Sequence, residues 1–194
     1  YDDVMNKQRE LIYSQRRDML TGKDVRPNVI SMAHELINSC AERNFTGEGS
    51  FDWSLREAED YLEALCLKPG AIEGHKALYE KADDSDKLVQ ALYADADAFY
   101  AEREALLAGL GIDMREFERV VLLNTIDRHW MEHIDDMDSL RDGIGLRAYG
   151  QRDPVQEYRA ESFDMFNDMV HLIREDAIRR LYQSKVERIP ERRR

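Results

Sequence analysis

From Phe117 to Lys185, apolar side chains return at three- and four-residue steps, the spacing of one face of an α-helix, with one interruption near residue 150. On the first leg Phe117, Val120, Val121, Leu123, Trp130, Ile134, Met137 and Leu140 share a face that also carries Asp127 and Arg141. Gly143 and Gly145 are expected to end that helix. The second leg opens on Asp153-Pro154-Val155-Gln156, which reads as an N-cap, a proline in the first helical position and a reciprocal capping residue. Tyr158, Phe163, Phe166, Met169, Val170, Ile173, Ala177 and Leu181 then keep the period. Two amphipathic helices of ~25–30 residues, each ~40 Å long at 1.5 Å per residue, joined by about ten residues, pack as antiparallel neighbours. The expected core of this hairpin is Trp130, Ile134, Met137, Phe163 and Phe166.

The rest of the chain is also helical in character. Ten glycines and four prolines among 194 residues disfavour a β fold, so the predicted class is all-α. Residues 1–21 read as one helix, with Val4, Leu11, Ile12, Met19 and Leu20 recurring about every seven positions. Gly22 is a stop, Asp24 a candidate N-cap, and Pro27 is tolerated only in a first turn. A second helix runs to about Arg43; whether the two are one kinked rod is open. Asn44–Ser50 is a loop by composition. Ser54 is a candidate cap for a helix burying Leu55, Tyr61, Leu62 and Leu65. Pro69-Gly70 breaks it, and a longer helix follows with Leu88, Leu92, Phe99 and Leu106 on its apolar face. The domain reading is residues 1–43 as a first scaffold part, 44–113 as an inserted small helical lobe, and 114–190 as the second scaffold part. Within the last, about 114–153 is the outgoing helix and tip, and 154–186 the return.

The net charge of −12 sits in the middle of the chain: residues 44–116 hold 17 acids against seven bases, and residues 1–43 are neutral. No concentrated basic face exists for nucleic acid, apart from a few residues at the end. No apolar run approaches the ~20 residues that span a bilayer. Two cysteines, Cys40 and Cys66, suggest reduced, partly buried thiols and no disulfide framework. The first residue is Tyr1 and the last are basic, as expected of a piece of a longer protein.

Three motifs could carry function. His129-Trp130-Met131-Glu132-His133 fits H-x-x-E-H, which on a helix sets two histidines on one face, as in inverted zinc peptidases. A catalytic zinc site also needs a third ligand and an open position, and neither is evident. The alternative is that Trp130 packs in the hairpin core with the histidines at its polar edge. The second motif is the tip, Gly143 to Asp153, where a linker expected to be polar carries Ile144, Leu146 and Tyr149 among glycines, flanked by Arg147 and Gln151. Exposed apolar and aromatic groups there suggest contact with something else, the alternative being that they fold back onto a neighbouring domain outside this piece, and a tyrosine offers an apolar face with a hydroxyl handle. The third is the opening helix, alone a charged amphipathic segment. No G-x-x-x-x-G-K-[ST] phosphate loop occurs.

The opening YDDVMNKQRELIYSQRR and the stretch LLNTIDRHWMEHIDDMDSLRDGIGLRAYGQRDPVQEYRAESFDMF resemble the SecA family of ATP-driven protein-export motors. The resemblance covers about half of the chain by motif and all of it by order. It implies that the first and third parts are the helical scaffold with its two-helix finger, and that the acidic block is the helical wing. It implies a tip working at a SecY-type channel, with Ile144, Leu146, Arg147, Tyr149 and Gln151 facing an unfolded preprotein or the channel. Trp130, Glu132 and His133 fall in the family's W-x-[ED]-H pattern; His129 does not. The further implications are motor domains elsewhere in the same parent chain that bind ATP and Mg, and no cofactor or catalytic residue in this fragment. The parent would be a cytoplasmic ATPase, peripheral on the cytoplasmic face of the cell membrane, with homodimerisation open. A zinc hydrolase and a passive helical adaptor are the competing readings.

Overall fold

Helix-favouring composition yields helices throughout. A computed structural model describes residues 1–22, 24–45, 51–79, 85–147 and 153–186, with the side chains of 51–54, 79 and 147 outside the description. Among the described residues there are eight helices and no strand: α1 (Asp2–Leu20), α2 (Arg26–Asn44), α3 (Phe51–Leu65), α4 (Ala71–Gly74), α5 (Lys76–Tyr79), α6 (Ser85–Gly109), α7 (Met114–Arg147) and α8 (Pro154–Gln183). The fold is all-α, as composition predicts.

Helix boundaries follow local chemistry in most places. α1 closes where Gly22 takes φ 75, a left-handed conformation that suits a residue without Cβ. Pro27 lies in the first turn of α2, so residues 1–43 form two helices and not one kinked rod. Asp24 does not cap α2: the N-cap is Val25, with no side-chain hydrogen bond, and burial of Val25 to 3 % exposure anchors the chain there. α3 starts at Phe51, so Ser54 lies inside it and is not its N-cap.

Two compact units divide the chain: Tyr1–Asp24 with Arg119–Asp176, and Val25–Glu118 with Ala177–Arg194. The first holds α1 and most of α7 and α8. From Ile126 onward the buried positions of α7 are Ile126, Trp130, His133, Met137, Leu140 and Ile144, and their alternating steps of four and three residues are those of a heptad seam. Met137, Leu140, Ile144 and Tyr158 form a core cluster, with Val4, Met5 and Met165 packed against it. The α7–α8 contacts 144/158, 133/166 and 129/176 run in opposite chain directions, so the hairpin is antiparallel. α1 runs antiparallel to α7, with Met5 near Met137 and Arg16 bound to Asp127.

In the second unit α2 packs on α3 and α6, and α6 also meets α4 and α5. Val29, Ala33, Leu36, Ile37 and Cys40 of α2 are buried, as are Leu62, Leu65, Leu88, Leu92 and Tyr100. Tyr182 of α8 lies against Phe99 and Tyr100, with ring centroids 5.4 and 5.0 Å apart. Residues 25–43 therefore share this core with the 44–113 segment, because periodicity reveals a helix's apolar face without naming what covers it. Leu106 is exposed and Leu107 buried, one residue off the expected face. Both cysteines are buried and free, and burial pushes the Cys66 thiol up to about 12.

Candidate functional site at the hairpin tip

The approach to the tip is built by the last turns of α7 and the first of α8. Gly143 and Gly145 do not end α7, which continues through both to Arg147. Burial of Ile144 between them, at 0 % exposure in the cluster with Leu140 and Tyr158, offsets the roughly 1 kcal/mol that each helical glycine costs. Ile144, expected to be an exposed contact residue, is thus a core residue. Leu146 is 79 % exposed, as a contact residue must be. Tyr149 and Gln151 lie outside the described residues, as does the side chain of Arg147.

The far side of the tip starts from the predicted cap. Asp153 Oδ1 accepts the Val155 N–H at 3.0 Å, with Pro154 as the first helical residue. Val155 is exposed, so among the described residues Leu146 and Val155 are two apolar side chains on α7 and α8 open to solvent at this end. Tyr158 is 2 % exposed, and its ring meets Tyr1 edge-on at 4.5 Å, tying the start of α1 beneath the tip. Burial raises the Tyr158 phenol above its ordinary pKa, so it stays neutral.

Of the expected hairpin core, Trp130 and Met137 are buried, while Ile134 and Phe166 are partly covered. Phe163 is 66 % exposed and is not a core residue. The buried line on α8 passes through Tyr158, Ser162 and Met169, and one residue of phase turns Phe163 outward. Ser162 fits because its hydroxyl donates to the Tyr158 carbonyl at 2.6 Å, leaving a small side chain where a helix approaches closely.

The two histidines of H-x-x-E-H serve different partners. His129 Nε2 lies 3.1 Å from Asp176 Oδ2 on α8, and Arg128 also pairs with Asp176. Glu132 approaches the other ring nitrogen of His129 only to 3.8 Å. His133, at 3 % exposure, reaches Gln8 Oε1 of α1 at 2.7 Å, and Gln8 Nε2 donates to the Ser162 carbonyl at 3.1 Å. Gln8 therefore presents its oxygen to His133, whose Nε2 carries the proton. Among the described residues no group of three His, Cys, Asp or Glu side chains could hold a metal ion. Gln8 and Ser162 escape sequence reasoning because polar residues read as surface. The available signal is that Gln8 lies in phase with Ile12 and Met19.

On the outer side of α1 and α7 lies a groove of about 490 Å³. Ile12, Tyr13, Leu20, Trp130 and Met131 line it together with the Arg16–Asp127 ion pair, which is 2.7 Å long.

The described geometry is that of an all-α scaffold carrying an antiparallel hairpin. The family model for the SecA wing and scaffold domain matches residues 1–185, and the chain belongs to that family. A protein translocase subunit SecA from Clostridium botulinum is 40 % identical over 195 residues, covering 99 % of this chain and 22 % of the relative. The same-named protein from Carboxydothermus hydrogenoformans is 43 % identical over 201 residues, covering 100 % of this chain and 22 % of the relative. That from Desulforudis audaxviator is 42 % identical over 194 residues, covering 96 % and 21 %. The chain thus spans about a fifth of the length of the curated relatives it matches.

Proposed function

We propose that this chain is the scaffold, finger and wing portion of a SecA-type preprotein translocase, and that it couples movement of ATP-driven motor domains to passage of a polypeptide through a SecY-type channel. The observation that carries the reading is family membership together with 40–43 % identity, over essentially the whole chain, to proteins named as translocase subunits. The hairpin supports it physically. Two helices held by a continuous buried seam form a stiff lever, and Leu146 stands exposed one residue before the end of α7.

In this reading residues 1–43 and 114–190 belong to the scaffold and 44–113 to the wing, although the compact units share their residues differently. The contact residues of the tip are Leu146, Arg147, Tyr149 and Gln151, with Ile144 holding the tip from inside. ATP and Mg belong to motor domains of the parent chain, which acts at the cytoplasmic face of the membrane. No helix among the described residues is long and apolar enough to cross a membrane. A zinc hydrolase is disfavoured by the separate engagement of His129 with Asp176 and His133 with Gln8.

The test is made in the full-length parent. Tyr149→Ala is expected to impair preprotein export with helix content unchanged, and a photo-cross-linking residue placed at position 149 instead is expected to cross-link to a translocating chain. Normal export by that variant, with no cross-link from position 149 to substrate or channel, counts against the assignment.

A further inference from the structure

α1 is repetitive at seven residues. Val4 and Leu11, Met5, Ile12 and Met19, Gln8 and Gln15, and Arg9 and Arg16 are each one heptad apart. A helix with such a repeat can satisfy an apolar seam in several registers, displaced by two turns, unless something distinguishes them. Apolar contacts alone do so poorly here, since Leu11 and Ile12 can stand where Val4 and Met5 stand. The Arg16–Asp127 pair is half-exposed and screened by water and salt, so its contribution to that choice is modest.

The seam holds one polar layer, to which each of its three helices contributes: Gln8 from α1, His133 from α7 and Ser162 from α8. Gln8 is 6 %, His133 3 % and Ser162 0 % exposed. Two directional bonds join it, with His133 Nε2 donating to Gln8 Oε1 at 2.7 Å and Gln8 Nε2 to the Ser162 carbonyl at 3.1 Å. We propose that this layer sets the axial register of α1 against the α7–α8 hairpin, selecting one of the registers that the heptad repeat of α1 would otherwise make nearly equal.

The alternatives show why. Sliding α1 so that Gln15 faces His133 carries Gln8 to the level of Leu140, in the apolar cluster with Met137, Ile144 and Tyr158. Sliding it the other way carries Gln8 toward Ile126 and sets Tyr1 against His133. Either shift buries the Gln8 amide without its two partners, and the second also strips His133 of its acceptor. A buried polar group left unpaired costs far more than a paired one gains. The layer therefore acts by penalising wrong registers, and a single polar residue in a heptad seam is the best-attested device of this kind.

The test reads the register directly. Spin labels are placed at Leu11→Cys on α1 and Ser139→Cys on α7, both exposed positions; Cys40 and Cys66 are fully buried, and a labelling control without the new cysteines checks that they stay unlabelled. The expected result is one distance population in the otherwise native chain. In Gln8→Leu with His133→Leu, a second population should appear, displaced by roughly 10 Å, the rise of seven helical residues. A single, unshifted population in that variant overturns the proposal. If the double variant loses its helical circular dichroism, the same label pair is read in Gln8→Met, which removes only the bridging amide, and the same two outcomes decide.

Discussion

Tyr100 donates its phenolic proton to Glu118 across 2.5 Å, and neither residue has any exposed surface. The bond joins the middle of α6 to the first turns of α7. Arg115, one turn back on α7, lies 3.2 Å from the same carboxylate oxygen and also binds Glu104 at 2.9 Å. Burial, with the nearby Glu118 carboxylate as the next cause, holds the Tyr100 phenol well above its usual pKa, so it remains a donor across the working pH range. Tyr100→Phe removes the proton and leaves a buried carboxylate oxygen short of a donor, at an expected cost of about 1–3 kcal/mol. Chemical denaturation of the variant chain measures it. A loss indistinguishable from zero would mean that the remaining partners of Glu118, Arg115 among them, satisfy it without Tyr100.

His133 makes stability depend on pH in a defined sense. Burial lowers its pKa below the ordinary 6.5, with Asp136 on the same helix opposing. The groups facing it from the other helices, Gln8 on α1 and Ser162 and Phe166 on α8, are uncharged. The unfolded chain therefore takes up a proton near pH 6.5 that the folded chain still refuses, so stability falls as pH drops through and below that value. Melting temperatures at pH 7.5, 6.5 and 5.5 should decline more steeply for the native chain than for His133→Gln. Parallel declines would assign the pH dependence to carboxylates.

Ile144 and Leu146 are two residues apart and opposite in consequence. Ile144 is 0 % exposed, and Ile144→Ala removes packing from the cluster with Met137, Leu140 and Tyr158, at an expected cost of roughly 2–4 kcal/mol. Leu146 is 79 % exposed, so Leu146→Ala should change stability by no more than about 0.5 kcal/mol. If the tip contacts a polypeptide as proposed, Leu146→Ala in the full-length parent weakens substrate cross-linking without loss of fold. Denaturant midpoints of the two variants separate the cases.

The hairpin was legible in the sequence because its signals are local: a 3.6-residue period on both legs and Asp153-Pro154 at the start of α8, where Asp153 accepts the Val155 N–H as an N-cap. Phase was less legible. Phe163 and Ser162 are adjacent, and hydrophobicity favours the phenylalanine as the core residue, yet the serine closes its own hydroxyl onto Tyr158 and takes the inner position. Gln8 and His133 looked like surface for the same reason: no single-residue scale records that two polar groups on distant segments satisfy one another. The placement of α2 with α3 and α6 depends on which apolar face meets which, and that is a tertiary choice that spacing along the chain does not encode.

Gly143 and Gly145 show the same override of local preference, and they allow a separate test of the tip. Both lie inside α7 with helical backbone, and a Cβ added at either would meet nothing within 4 Å. Neither position is one that only glycine can occupy, unlike Gly22 at φ 75. Gly143→Ala and Gly145→Ala should therefore each stabilise the chain by about 0.5–1 kcal/mol, chiefly by removing conformational freedom from the unfolded state. Hydrogen exchange at Ile144 and Leu146 should slow correspondingly, since the last two turns of α7 would open less often. If the tip must bend to follow a moving polypeptide, the doubly substituted full-length parent will export more slowly despite its greater stability. If it acts as a rigid lever, export will be unchanged or faster. Export rate measured together with hydrogen exchange on the same protein separates the two.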